Sequence, residues 1–179
     1  DRRPASPRSP SAAGRIGRST ATAGTTYRIQ AGGYSGATGS LNLKVTAPAA
    51  CSGPTGNCFS TAVGITSVPY SQSKSTSGAT LETSEPRPCG SIGATVWYTY
   101  TPSTSGSKTA DTMGSAFDTV LAVYTGSSLT GLTNVGCNDD ISGSDLDSRV
   151  TWTATAGTTY RIQVGGYNGA TGSLVFHES

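Results

Sequence analysis

Hydrophobic residues recur along this chain with a period of two, in short runs broken by glycine and proline. In TVWYTYTP, Val96, Tyr98 and Tyr100 fall on one face, and Thr95, Trp97 and Thr99 on the other. Such alternation marks β-strands, whose successive side chains point to opposite sides. Runs of this kind predict strands over 59–68, 76–83, 94–101, 107–113, 118–125, 133–137, 148–155, 158–165 and 172–177. No segment holds a 3.6-residue period over three turns. Many short strands between turn residues predict an all-β fold, an antiparallel β-sandwich of jelly-roll type. One face of the 94–101 run must be core, and Trp97 on the other face is expected to be covered by a loop.

The pattern also repeats. Residues 20–41 read TATAGTTYRIQAGGYSGATGSL and residues 153–174 read TATAGTTYRIQVGGYNGATGSL. Only Ala31/Val164 and Ser35/Asn168 differ, so 20 of 22 positions are identical at an offset of 133 residues. That offset has the size of a domain rather than of a solenoid or propeller repeat. The chain therefore divides into four parts. Residues 1–19 are Pro/Arg/Ser-rich, nearly devoid of apolar side chains, and predicted to be disordered. Residues 20–46 are the C-terminal end of a preceding copy, predicted to form an extra N-terminal hairpin across GGYSGATG. An isolated hairpin is marginal in water, so this one must dock, swap between chains or stay mobile. Residues 47–58 form a linker and a Cys-stapled loop. Residues 59–179 form one complete sandwich.

Composition places this unit outside the cell. Thr, Ser and Gly dominate, and charged residues make up 12% of the chain. The net charge of +2 is misleading, because Arg2, Arg3, Arg8, Arg15 and Arg18 lie in the first 18 residues. From Ala47 onward five basic residues face nine acidic ones, leaving the sandwich near −4. That balance argues against nucleic acid or an anionic membrane as partner, and no apolar run is long enough to span a membrane. Four cysteines in a Lys-poor, Thr/Gly-rich unit point to disulfides and an oxidising compartment. Of three pairings, Cys51–Cys58 with Cys89–Cys137 is favoured: the first closes CSGPTGNC and the second spans the fold. Their spacing is no zinc pattern, and the chain has one histidine.

Catalytic chemistry finds little support. His177, the only histidine, corresponds to Lys44 in the partial copy, which argues for a surface or edge-strand position rather than a general base. Acidic residues are more telling. Asp118 opens FDTVLAVYTG, Asn138–Asp140 follow Cys137, and Asp145 and Asp147 come next in NDDISGSDLD. Oxygen donors gathered on loops suit a hard cation such as calcium, although aspartates also form turns without one. The spacing is not an EF-hand, since the terminal glutamate and flanking helices are missing. Tyr34 and Tyr167 sit among glycines, where a tyrosine can stack on sugar, pack on a protein, or fold back over the sandwich edge.

Five ordered motifs, ETSEP, VWYTYTP, FDTVLAVYTG, CNDD and AGTTYRIQVGG, resemble the bacterial pre-peptidase C-terminal (PPC) domain family. The resemblance covers residues 59–177, and its last quarter covers 20–46. It implies a non-catalytic jelly-roll module of a secreted bacterial protein, often in tandem, and in several members a calcium ion. It implies Asp118, Asp139 and Asp140 as calcium ligands, with Glu82 and Glu85 as secondary ligands. The usual family start appears as GNCFSTA, in which Asn57 is kept but Cys58 replaces the acid. The expected function is an accessory module at the bacterial cell surface or beyond it, binding calcium and a polysaccharide or extracellular protein, with Tyr167 and Tyr34 as contact residues. The alternative is a structural repeat of a tandem array, an adhesin stalk or filament, whose neighbouring repeats associate by strand addition.

Overall fold

The computed structural model describes residues 28–43 and 52–179. The 1–19 segment and residues 47–51 of the 47–58 linker, Cys51 among them, lie outside them. The chain divides into two units, 1–46 and 47–179.

The second unit is a sandwich of nine strands. They are β1 (Val63–Ile65), β2 (Tyr70–Ser75), β3 (Ile92–Tyr100), β4 (Gly106–Asp111), β5 (Thr119–Thr125), β6 (Thr133–Asn138), β7 (Arg149–Ala154), β8 (Tyr160–Tyr167) and β9 (Ser173–Glu178). One sheet runs β1-β3-β8-β5-β6 and the other β2-β9-β4-β7. Except for β5–β6, each consecutive pair from β2 onward changes sheets, which is the folded double Greek key of a jelly roll. The pairing is antiparallel, apart from β1, which adds to β3 in parallel.

The two sheets read differently because they are covered differently. The four-stranded sheet faces water on one side, so β7 and β9 alternate strictly, with Val150, Trp152, Leu174 and Phe176 inward. The five-stranded sheet is covered on both faces, so TVLAVY in β5 is buried at every position. Its inner face contributes Val96, Tyr98, Leu121, Val123, Ile162 and Val164 to the core. Tyr98 stacks on Phe176 of the opposite sheet with ring centroids 4.1 Å apart. Its outer face carries Trp97, Ala122 and Tyr124 beneath Phe59, Leu129 and Leu132. Trp97 is thus fully buried by loops, with Phe59 edge-on at 5.3 Å.

Two predicted elements are corrected. The strand expected over 76–83 is displaced to β2, where YSQSKS places Tyr70, Gln72 and Lys74 inward. Gln72 and Lys74 look polar for inward positions, but their polar ends find partners. Gln72 Oε1 accepts from the Tyr98 hydroxyl at 3.0 Å. Lys74 Nζ donates to Thr55 O at 2.6 Å and lies 4.9 Å from the Tyr98 ring centroid, while burial lowers its pKa to about 8. The second correction is the N-terminal hairpin. Residues 28–43 form no strand, only a 3-10 turn at Tyr34–Gly36, and all of them are exposed. The reason is visible in the complete copy: β8 and β9 do not pair with each other. β8 lies between β3 and β5, and β9 between β2 and β4, so the equivalent segment alone has no strand to bond to.

Candidate functional site

Three loops meet at the end of the sandwich where β5 starts and β6 and β8 finish. Asp118 immediately precedes β5. Its backbone oxygen accepts from Tyr167 N at 3.0 Å, which ties it to the end of β8. Asp139 and Asp140 follow β6. The disulfide Cys89–Cys137 joins the end of β6 to the loop before β3. Asn138 braces the turn: its Nδ2 donates to Asp140 O at 2.9 Å, and its Oδ1 accepts from Arg149 N at 2.8 Å. The buried Ser148 hydroxyl lies 2.7 Å from both Asp139 O and Thr119 O, binding the loop to β5.

With the backbone held this way, the three carboxylates converge. One oxygen from each of Asp118, Asp139 and Asp140 lies within 4.8 Å of the others. The Oδ1 atom of each is shielded from water and has no hydrogen-bond partner. Desolvation, then the charges of Asp140 and Asp139, raises the pKa of Asp118. Desolvation, then Asp140, raises that of Asp139. Like charges brought together without a counter-charge disfavour ionisation. A donor set of hard carboxylate oxygens suits calcium, and these three residues fit such an ion.

Gly90 is part of this arrangement. It has φ +54°, and a Cβ there would stand 3.0 Å from Asp139 Oδ2 and 3.6 Å from Tyr167 Cε2. A side chain at this point would wedge between the tyrosine ring and the carboxylate. Tyr167, 38% exposed, therefore flanks the acidic cluster across a glycine. Beside it a hollow of about 280 Å³ is lined by Ser115, Phe117, Asp118, Ser144, Asp145 and Asp147. Tyr34, in the first unit, is 94% exposed.

The remaining predicted residues lie elsewhere. Glu82 and Glu85 are not brought to the aspartates. Glu82 Oε2 accepts from Phe59 N at 2.6 Å. Glu85 is buried, its oxygens taken by Glu82 N at 2.7 Å, Thr95 Oγ1 at 2.5 Å and Gln163 Nε2 at 2.8 Å. Together they fasten the ETSEP loop to the outer face of the five-stranded sheet. Asp147 Oδ2 accepts from Gly114 N at 2.8 Å, joining its loop to the one after β4, and Asp145 Oδ1 accepts from Asp147 N at 3.2 Å within its own turn. Asn57 is buried and joins the 52–58 loop to Thr80. Cys58 is disulfide-bonded. His177 lies on β9, a central strand rather than an edge, and its Nδ1 is 2.9 Å from Asp111 Oδ1. Gly90 and Ser148 escaped the sequence reading, and Asn138, named there among the loop oxygens, braces the turn. Only the adjacency of Gly90 to Cys89 hinted at the first.

No family model matches the chain, and no curated protein matches it. Among solved structures, PliG of Aeromonas hydrophila, a periplasmic inhibitor of g-type lysozyme, aligns over 66% of this chain and 94% of its own, with 16% identity and a TM-score of 0.42. Similarity at that level is too loose to place the two proteins together. Among the described residues no helix is long and apolar enough to cross a membrane.

Proposed function

We propose that this chain is a non-catalytic accessory module of a secreted bacterial protein, of the PPC type, and that it binds calcium through Asp118, Asp139 and Asp140. The observation that carries this reading is the convergence of three carboxylates, one oxygen of each within 4.8 Å of the others, each residue also having a shielded Oδ1 without a hydrogen-bond partner. A divalent cation would replace their mutual repulsion with attraction. Calcium takes about six to eight oxygens, so three aspartates would leave positions for water, backbone carbonyls or a partner. Secretion is supported by the Cys89–Cys137 disulfide, which belongs to an oxidising compartment. The non-catalytic reading is supported by His177, whose visible partner is Asp111 rather than a nucleophile. The tyrosine beside the cluster and the acidic hollow next to it offer a surface for a polysaccharide or an extracellular protein.

Calcium at a hundredfold excess over its Kd should stabilise the fold by about 3 kcal/mol. That corresponds to a rise in Tm of roughly 5–10 °C over the chelated protein. Asp139→Asn should lose this response yet melt no lower than the parent in chelator, since one repelling charge is gone. Tyr167→Ala should keep the calcium response while losing retention on a glycan or collagen matrix that holds the parent. An identical melt with calcium and with chelator would sink the proposal.

A further inference from the structure

The first unit carries a segment whose place in a sandwich is already known from the second. Ile29, Leu41 and Leu43 are 61%, 69% and 57% exposed, whereas their counterparts Ile162, Leu174 and Phe176 are fully buried. The more demanding positions repeat as well. Gln163 accepts from the Tyr124 hydroxyl at 2.8 Å and donates to Glu85, and Gln30 brings the same amide. A Cβ on Gly165 would lie 2.7 Å from both Gly93 O and Ile92 Cγ1, and Gly32 brings the same bare backbone. Both copies form the same turn: Ser35 and Gly36 have φ 53° and 77°, and Asn168 and Gly169 have 51° and 81°. Ala37 N donates to Tyr34 O at 3.1 Å, as Ala170 N does to Tyr167 O at 3.0 Å. Turn, buried amide, close-approach glycine and apolar anchors are thus all present in a segment that lacks only its neighbouring strands.

We propose that residues 28–43 are a strand donor that occupies the β8–β9 slot of a second copy of this chain, whose own β8–β9 segment is displaced. The fit is specific because the slot is threaded through both sheets. A donor must bond between β3 and β5, turn, and then bond between β2 and β4. Only a segment with this turn in this position satisfies both. The substitutions set the balance. Within residues 28–43, Ala31 for Val164 and Leu43 for Phe176 remove packing volume, and the resident segment is tethered to its own slot, so it holds that slot when intact. Donation is then the minor state, and it grows when the resident segment is weakened or when chains fold together at high concentration. A head-to-tail exchange of this kind extends into chains wherever its rotation does not close a ring.

Ile162→Asp tests it directly, because it places a charge in the fully buried heart of the resident β8 while leaving the donor whole. This variant should keep a cooperative melt, about 10 °C below the parent, and should elute as oligomers whose size grows with concentration. Adding Ile29→Asp to it should abolish the melt, while Ile29→Asp alone should melt like the parent. No cooperative transition in Ile162→Asp, a transition unaffected by the second substitution, or a monomer at every concentration would each overturn the proposal. A second measurement avoids a disabled β8. Arg161 pairs with Thr99 across β8 and β3, so Arg28→Cys and Thr99→Cys chains refolded together should form a disulfide-linked heterodimer. A yield no greater than that of Arg28→Cys with Thr151→Cys would equally overturn it.

Discussion

Glu178 fits its surroundings poorly. It lies on the inward face of β9, 1% exposed, with neither carboxylate oxygen hydrogen-bonded. Its register neighbours are Tyr70 and Ala110. Burial raises its pKa to about 8, only partly opposed by the charge of Lys108, and its charge in turn helps raise the pKa of Tyr100. The sign follows from which state holds the proton. Below the unfolded value of 4.5 both states are protonated and nothing is lost. Between 4.5 and about 8 only the folded state keeps the proton, so stability falls as pH rises. At pH 7 the loss is about 3 kcal/mol, an upper figure for a single buried acid. Glu178→Gln should therefore raise the urea midpoint at pH 8, leave it nearly unchanged at pH 4, and flatten the decline between them. The partial copy has Val45 at this position, a side chain suited to the same inward face. Nothing in the sequence marked Glu178 as inward: the strand expected over 172–177 stopped one residue short, and a terminal glutamate reads as solvated.

At the scale of elements, strands showed themselves in the sequence where burial was uniform and were blurred where it was not. The runs at 94–101 and 118–125 coincide closely with β3 and β5, because both faces of their sheet are covered and the apolar residues are dense. β2 was hidden because its inward side chains are amphipathic, Gln72 and Lys74 burying their stems while their polar ends bond elsewhere. The hairpin reading failed for a topological reason, since chain neighbours joined by a short turn normally pair and here do not. The turn itself was legible, because its φ > 0 positions are written locally as Ser-Gly and Asn-Gly. The acidic cluster was half legible. Asp118, Asp139 and Asp140 gather, but Glu82 and Glu85 serve the loop beneath them, and only the fold could separate the two sets. Close approach between elements makes its own prediction. Gly165→Ala would force a methyl against Gly93 O and Ile92 and should destabilise by about 2–3 kcal/mol in urea unfolding. Gly64→Ala, on β1 with open space around it, should change little and serves as the control.

Over the whole molecule, a single covalent link joins the candidate site to the far side of the sequence. The Cys89–Cys137 bond closes a loop of 48 residues. Loop entropy of that size corresponds to about 4 kcal/mol of stabilisation. Cys89→Ser with Cys137→Ser should lose stability of this order in chemical denaturation. It should also weaken calcium binding, because Gly90 and Asp139 would no longer be held face to face. The placement of β8 and β9 has a consequence for how such a chain is made. They are the last strands in the sequence, yet each stands in the middle of its sheet. Synthesis proceeds from the N-terminus at about 5–20 residues per second, so β2, β3, β4 and β5 emerge well before the strands that join them. Until roughly the last twenty-five residues arrive, neither sheet has a centre and the native core cannot close. A domain of this design completes both of its sheets only once β8 and β9 have been made.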